Sequence, residues 1–285
     1  MAIQSIAVVG AGQMGSGIAQ VCAQAGYHVT LNDVEQRFVD RGMETIRKSL
    51  GKFVEKGKLS KADHDAIVGR LHPTARLEDC FKADLVIEAI IEKPETKKEL
   101  FRKLDGHLPA HAIIATNTSS IPITELAAVT KRPEKLIGMH FMNPVPIMQL
   151  IEVIRGLETS DATTQAIFEV SRKIGKTPIE VKDFPGFLVN RLLVPYLNEA
   201  FNALMEGLAK PHDIDQSIKL GLNHPMGPFE LADFVGLDTC LYVMDVLYDG
   251  FKDPKFRPSP MLRKYVQAGR LGRKVGRGVY DYPAK

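Results

Sequence analysis

Residues 137–155 read I-G-M-H-F-M-N-P-V-P-I-M-Q-L-I-E-V-I-R, two short apolar stretches joined by a turn that Asn143 and Pro144 open. The first stretch ends in a histidine, His140, and the second carries the only buried-looking carboxylate nearby, Glu152. Two strands that fold back on each other there would bring Glu152 under the imidazole of His140. A carboxylate behind a histidine fixes its tautomer and stabilises its charged form, the requirement for a general acid/base near neutral pH. A histidine and a glutamate at this separation also occur together by chance. Whether they do chemistry depends on what the rest of the chain builds around them.

That construction starts at the N-terminus. Ser5 to Val9 reads as a buried parallel strand that runs into the turn Gly10-Ala11-Gly12-Gln13-Met14-Gly15, and helical spacing follows as far as Gly26. In a strand–turn–helix unit the first glycine permits the tight turn. The second lets the backbone approach a pyrophosphate, and the third lets helix and strand pack closely. The helix N-terminus then presents free N–H groups and the positive end of its dipole to the phosphates. The next strand ends in Asp33, at about the 20-residue spacing where an acid meets the adenosine ribose hydroxyls. Asp33 would repel a 2′-phosphate, and no arginine follows immediately, so NAD is expected over NADP. The alternative, a glycine-rich turn with a surface acid, leaves the agreement of turn, acid, strands and helix unexplained.

Residues 35–71 are charged and helical, too long for an ordinary crossover. Ser60 and Asp63 fit a helix start, so the segment reads as an inserted helical hairpin. Its first helix carries Arg47, Lys48, Ser49, Lys52 and Lys56. Ser49 and Lys56 lie two turns apart on one face, placed to grip a polyphosphorylated substrate handle; a plain solvated charged face is the other possibility. Residues 84–92 then read as a strand, with Glu92 just beyond its end, where ligands bind in open parallel sheets. Lys97, early in the following helix, is expected to face the same crevice. A further strand leads into Asn117-Thr118-Ser119-Ser120, hydroxyls and amides at the same rim; such residues also cap helices, the alternative role for Ser120 or Thr124. Strand and helix alternate throughout residues 1–184, predicting an α/β fold, a Rossmann-type doubly wound parallel sheet with an inserted helical hairpin.

From Phe184 the character changes. Residues 185–285 are helical until V-Y-D-Y near the end, which predicts an all-α C-terminal domain. A long helix is expected from Pro185, kinked at Pro195 and carrying Asn190 near its start. So much Leu, Val and Phe calls for a covering layer, which a second subunit would supply. His224 is a competing acid/base candidate, but it precedes Pro225 in a turn with no evident carboxylate to orient it. The basic glycine-rich stretch around Lys274 closes the domain or reaches an anionic ligand.

The bulk composition sets the outer limits. A chain of 285 residues supports two cores, and 45% apolar with 25% charged residues is ordinary for a soluble globular protein. A net charge of +3 gives no reason to invoke nucleic acid. Cys22, Cys80 and Cys240 lie far apart without a C-x-x-C, which predicts reduced thiols and neither a disulfide framework nor a zinc site. No presequence pattern and no membrane-length apolar run is evident, so a cytoplasmic protein is expected.

The segments G-A-G-Q-M-G, V-I-E-A-I-I-E-K-P, N-T-S-S-I, G-M-H-F-M-N-P-V-P, D-F-P-G-F-L-V-N-R, H-P-M-G-P-F-E-L-A-D and L-G-R-K-V-G-R-G-V-Y together resemble the short-chain L-3-hydroxyacyl-CoA dehydrogenases, most of all the bacterial 3-hydroxybutyryl-CoA members. The resemblance covers essentially the whole chain. It implies an NAD-binding N-terminal domain (1–184) and a helical C-terminal domain (185–285) that forms a homodimer and helps hold an acyl-CoA substrate. It makes His140 the acid/base oriented by Glu152, with Ser119 and Asn190 completing the substrate site and Ser119 near the nicotinamide. By the same resemblance Asp33, Glu92, Lys97, Asn143 and Lys274 contact NAD, beside the Gly10–Gly15 turn and the Asn117 rim. Ser49 and Lys56 match CoA contacts, favouring the ligand-gripping view of that helix. The family often has Phe where this chain has Met142; no loss is expected, because methionine fills an apolar slot adaptably. The expected reaction is interconversion of (S)-3-hydroxybutyryl-CoA and acetoacetyl-CoA. Two alternatives share the fold: a gulonate-type hydroxy-acid dehydrogenase without a CoA handle, and a noncatalytic crystallin-like protein. The basic helix argues against the first, and the joint presence of Ser119, His140, Glu152 and Asn190 against the second.

Overall fold

The computed structural model describes residues 3–283, and the chain divides into two compact units, Met1–Phe184 and Pro185–Lys285. In the first unit the strands are β1 (Ser5–Val9), β2 (His28–Asn32), β3 (Leu71–Thr74), β4 (Leu85–Glu88), β5 (Ile113–Thr116), β6 (Leu136–Phe141), β7 (Leu150–Arg155) and β8 (Thr177–Lys182). They form one sheet in the order β3-β2-β1-β4-β5-β6-β7-β8. Every neighbouring pair is parallel except β6 and β7. The central strands β4 and β5 are buried along their whole length. Helices cover both faces, which is why these strands read as continuous apolar runs rather than alternating ones.

The connecting helices are α1 (Gln13–Gln24), α2 (Gln36–Glu55), α3 (Lys61–Gly69), α4 (Pro94–His107), α5 (Ile123–Ala127) and α6 (Asp161–Lys173). α2 and α3 are the inserted hairpin. α2 buries Val39, Met43, Ile46 and Leu50, a 3.6-residue stripe, and leaves its basic face to solvent. Ser60 caps α3 by accepting from the Asp63 N–H at 3.0 Å. The chain order reverses between β1 and β4, and the adjacent strand ends open the crevice in which such sheets bind ligands.

Two strand boundaries depart from the sequence reading. Leu71, read as the end of the helical segment, instead opens β3; Pro73 is tolerated in it because the strand lies at the sheet edge. β4 stops at Glu88 instead of running to Glu92, because the Glu88 carboxylate turns back to accept the Ile90 N–H at 2.7 Å. The expected fold-back around Asn143 and Pro144 makes β6–β7 the antiparallel step of the sheet and sends β7 and β8 against the other strands.

The second unit contains α7 (Val189–Met205), α8 (Pro211–Leu222), α9 (Pro228–Val235), α10 (Leu237–Phe251) and α11 (Pro260–Gln267). α7 starts at Val189, not Pro185, because Gly186 and Phe187 hold positive φ angles of 74° and 51° and make a turn first. It continues through Pro195 as one helix. Phe201 and Phe229 meet edge to face at 5.1 Å in a core that Met244 and Leu247 of α10 complete. The V-Y-D-Y run makes no strand but a single isolated bridge, Asp281 to Arg277. Its Val279 and Tyr280 N–H groups go instead to the buried Asp233 carboxylate, at 2.9 and 3.0 Å. Among the described residues no helix is long and apolar enough to cross a membrane, and no group of acidic, histidine or cysteine side chains is arranged to hold a metal ion.

Candidate active site

The β6–β7 register pairs His140 directly with Glu152, so both side chains leave the same face of the sheet. His140 Nδ1 lies 2.7 Å from Glu152 Oε2, and Ser119 Oγ lies 3.1 Å from His140 Nε2. Glu152 is fully buried and His140 nearly so. A carboxylate accepts only, so in a neutral ring Nδ1 carries the proton and Nε2 accepts from the Ser119 hydroxyl. The ring is thus set to take a proton at Nε2 and, once charged, to be stabilised through Nδ1.

Ser119 is held by a second carboxylate. Glu92 Oε1 accepts from the Ser119 N–H at 2.8 Å, the Thr118 hydroxyl at 2.5 Å and the Ser120 hydroxyl at 3.1 Å. Its other oxygen lies 3.2 Å from Lys97 Nζ. Burial pushes the Glu92 carboxyl up, but the Lys97 charge and the donors from Thr118 and Ser119 outweigh it and hold the group below its usual range. Asn117, on the same loop, accepts the Phe141 N–H at 2.9 Å and so ties the loop to the strand end beside His140.

Lys97 does not project into the crevice as an open cation. It is buried, with Nζ 2.6 Å from Glu88 Oε1, and Glu88 also accepts from the Thr116 hydroxyl at 2.6 Å. Burial lifts the Glu88 carboxyl above the usual carboxylate range, against the opposing pull of Lys97, Thr116 and the Ile90 N–H. Sequence reasoning missed Glu88. The available signal was a lone carboxylate inside the apolar run V-I-E-A, with a lysine early in the next helix to meet it.

The glycine turn has room where a dinucleotide needs it. A Cβ on Gly12 would meet nothing within 4 Å, so the space beside the α1 N-terminus is open. Gly10, at φ 106°, and Gly15 are required by packing instead: a Cβ would fall 2.4 Å from the Ala89 carbonyl oxygen in the first case and 1.7 Å from that of Gly10 in the second. No side chain caps α1, and Gln13 and Met14 open its first turn. Asp33 sits beside this turn, one oxygen accepting the Ala11 N–H at 2.7 Å and the other the Val34 N–H at 2.7 Å. Gln13 Nε2 donates to Asn143 Oδ1 at 3.1 Å, which brings the β6–β7 turn to the glycine loop. This arrangement of free helix N–H groups, open backbone and acid fits a pyrophosphate with its ribose.

Ser49 and Lys56 line one wall of a cleft of about 650 Å³, with Lys48, Lys52 and Lys58. Gln13 and Gly17 of α1 line it too, and Asn143 to Ile147 form its far side. Arg47, on the same helix, is not part of it. Asn190 and Lys274 belong to the second unit. Asn190 is the second residue of α7, and Lys274 Nζ donates to both oxygens of Asp238 at 2.6 Å. The competing His224 lies in an exposed turn, its ring edge-on to Tyr196 at 6.2 Å.

Two family descriptions match the chain: 3-hydroxyacyl-CoA dehydrogenase, NAD binding domain, over residues 5–184, and 3-hydroxyacyl-CoA dehydrogenase, C-terminal domain, over residues 186–282. The 3-hydroxybutyryl-CoA dehydrogenase of Bradyrhizobium diazoefficiens is 51% identical over 98% of this chain and 96% of that protein. The human mitochondrial hydroxyacyl-coenzyme A dehydrogenase is 42% identical over 98% of this chain and 91% of its own length. The crystal structure of (S)-3-hydroxybutyryl-CoA dehydrogenase from Ralstonia eutropha superposes with a TM-score of 0.97 at 50% identity, covering 99% of this chain and all of that one.

Proposed function

The chain belongs to the 3-hydroxyacyl-CoA dehydrogenase family, and from that premise we propose that it interconverts (S)-3-hydroxybutyryl-CoA and acetoacetyl-CoA. It is an NAD-dependent dehydrogenase of the 3-hydroxyacyl-CoA type. The observation that carries the residue assignments is the line Glu152, His140, Ser119, ordered by two hydrogen bonds of 2.7 and 3.1 Å. Bound NAD supplies the hydride chemistry, and the chain's own residues handle the proton. His140 Nε2 takes it from the 3-hydroxyl in the oxidative direction and returns it in the reductive one, while Glu152 stabilises the charged ring. Ser119 holds the reacting oxygen, so that positioning and fixed dipoles lower the barrier.

The pyrophosphate is assigned to the α1 N-terminus at Gly12, Gln13 and Met14, and the ribose to Asp33. Asn117, Ser119 and Asn143, with Glu92 and Lys97 behind them, complete the cofactor site of the first unit. The CoA handle is assigned to the cleft of Ser49 and Lys56, where four lysines face an anionic ligand. The second unit is assigned to homodimerisation: Leu192, Leu208 and Leu220 stand 65%, 78% and 82% exposed, and apolar side chains in such numbers favour a covering partner. A cytoplasmic setting accords with this chemistry.

Consumption of NADH with acetoacetyl-CoA, run beside acetoacetate and repeated with NADPH, tests the assignments together. Turnover of the thioester alone, with NADH preferred, is expected. Asp33→Ala is expected to narrow the preference for NADH over NADPH by roughly tenfold, the loss of about one charged hydrogen-bonding partner. An unaltered preference would remove Asp33 from the ribose site. Absence of turnover with NADH still bound would overturn the substrate assignment.

A further inference from the structure

The turn at residues 143–149 joins β6 to β7, forms the far side of the basic cleft, and carries Asn143 against Gln13. Internally it is thinly held: the Ile147 and Met148 N–H groups both share the Pro144 carbonyl, each at 3.0 Å. Ile147 is 64% exposed, so apolar packing does little to fix the tip. What reaches it from outside is a lysine at the far end of the unit's last helix–strand connection. Lys176 Nζ donates to the Val145 and Met148 carbonyls, at 2.7 Å each. Its neighbour Thr177 adds one backbone bond, to the Gln149 carbonyl at 2.8 Å.

We propose that Lys176 is a positioning residue for the substrate cleft, holding the turn at residues 143–149 so that its inner edge keeps the width and shape that an acyl-CoA handle needs. The side chain is only 7% exposed, and both named acceptors are neutral carbonyls rather than a carboxylate. An ammonium buried on such partners carries a desolvation cost, visible in the downward push that burial gives its pKa. A methionine would fill the same volume without that cost, so the charge is best explained by what it holds. The two carbonyls belong to residues three apart, spanning the bend. One of them, Val145, is buried against α1, where a Cβ on Gly17 would lie 2.8 Å from the valine Cβ. Lys176 therefore pins the turn onto α1 at one end and stops its tip from swinging out at the other.

The inference rests on assigning the cleft to CoA, and the experiment separates the two. In Lys176→Met the KM for acetoacetyl-CoA is expected to rise about tenfold, and inhibition by free CoA to weaken in the same proportion, because two charge-assisted hydrogen bonds are lost from the cleft wall. kcat is expected to stay within about threefold, since the His140 pair does not depend on the turn tip. Lys176→Gln, which can donate to one carbonyl, is expected to fall between the two and keeps the test alive should the methionine variant fold poorly. Hydrogen exchange read on a peptide spanning residues 143–149 is expected to speed up in both variants while α6 and β8 keep their protection. Wild-type turnover that free CoA does not inhibit would remove the CoA assignment alone, leaving exchange to judge the anchor. A lower melting temperature with unchanged KM and unchanged exchange in the turn would make Lys176 merely structural and overturn the inference.

Discussion

His140→Ala is expected to lower acetoacetyl-CoA turnover by roughly 10²–10⁴-fold while NADH binding stays close to that of the parent. The magnitude follows from what the side chain alone provides. Nε2 is the ring atom left to exchange a proton, because Nδ1 is committed to Glu152 at 2.7 Å. Ser119 lies within hydrogen-bond reach of that nitrogen, but its hydroxyl is far too weak an acid or base to replace an imidazole near neutral pH. The dinucleotide turn at Gly10 to Gly15 is built by β1 and α1 and its acid by the end of β2, whereas His140 is carried by β6, so cofactor affinity has little cause to fall. Glu152→Gln supplies the control. It keeps a hydrogen-bonding partner at Nδ1 but removes the carboxylate charge behind the ring, so the loss should be smaller than in the alanine variant. Stopped-flow turnover with a parallel NADH titration decides the matter. Wild-type-like turnover in the alanine variant, or a tenfold loss of NADH affinity accounting for the defect, would take His140 out of the proton transfer.

Much of this site is legible in the sequence because its parts are local. A turn of three glycines between a strand and a helix has few other uses, and the acid at the next strand end lies at a fixed distance along the chain. His140 and Glu152 are legible for a similar reason: two apolar stretches around an Asn-Pro turn make an antiparallel pair, and antiparallel register places the residues opposite one another. What resisted reading depends on partners distant in the chain or on burial. Residues 71–74 form a strand only because β2 offers an open edge to pair with, and Pro73 argues against a strand until that edge is known. The V-Y-D-Y run has strand composition, yet Asp233 takes its N–H groups, an event that no local pattern announces. Lys97 looks like a ligand-facing cation because lysines are rarely buried unless paired, and its partner lay hidden in an apolar run.

That partner carries the largest stability effect. Lys97→Met is expected to destabilise the first unit by about 3–5 kcal/mol at pH 8, the usual result of removing one member of a buried ion pair. The cost is not the attraction lost but the charge left behind: Glu88 is fully buried, and its remaining donors, Thr116 and the Ile90 N–H, are neutral. The sign of the pH dependence follows. Burial already raises the Glu88 carboxyl, and without Lys97 the largest opposing influence is gone, so in the variant the folded form holds its proton to higher pH than the unfolded chain does. The folded state then binds more protons than the unfolded state wherever the pH exceeds the unfolded carboxyl's value of about 4.3, and its stability must fall as pH rises through that window. The deficit of the variant should therefore shrink between pH 8 and pH 5.5. Adding Glu88→Gln to Lys97→Met removes the orphaned charge, so the double variant should recover part of the loss at pH 8 and lose most of the pH dependence. Glu92 tempers the recovery, because it also loses its ammonium partner at 3.2 Å, but its side chain is 30% exposed and water can replace part of that contact. Denaturant unfolding of parent, single and double variants at the two pH values reads all of this at once. A single variant as stable as the parent at pH 8, or a deficit that grows on acidification, would mean that Glu88 and Lys97 do not hold each other's charge.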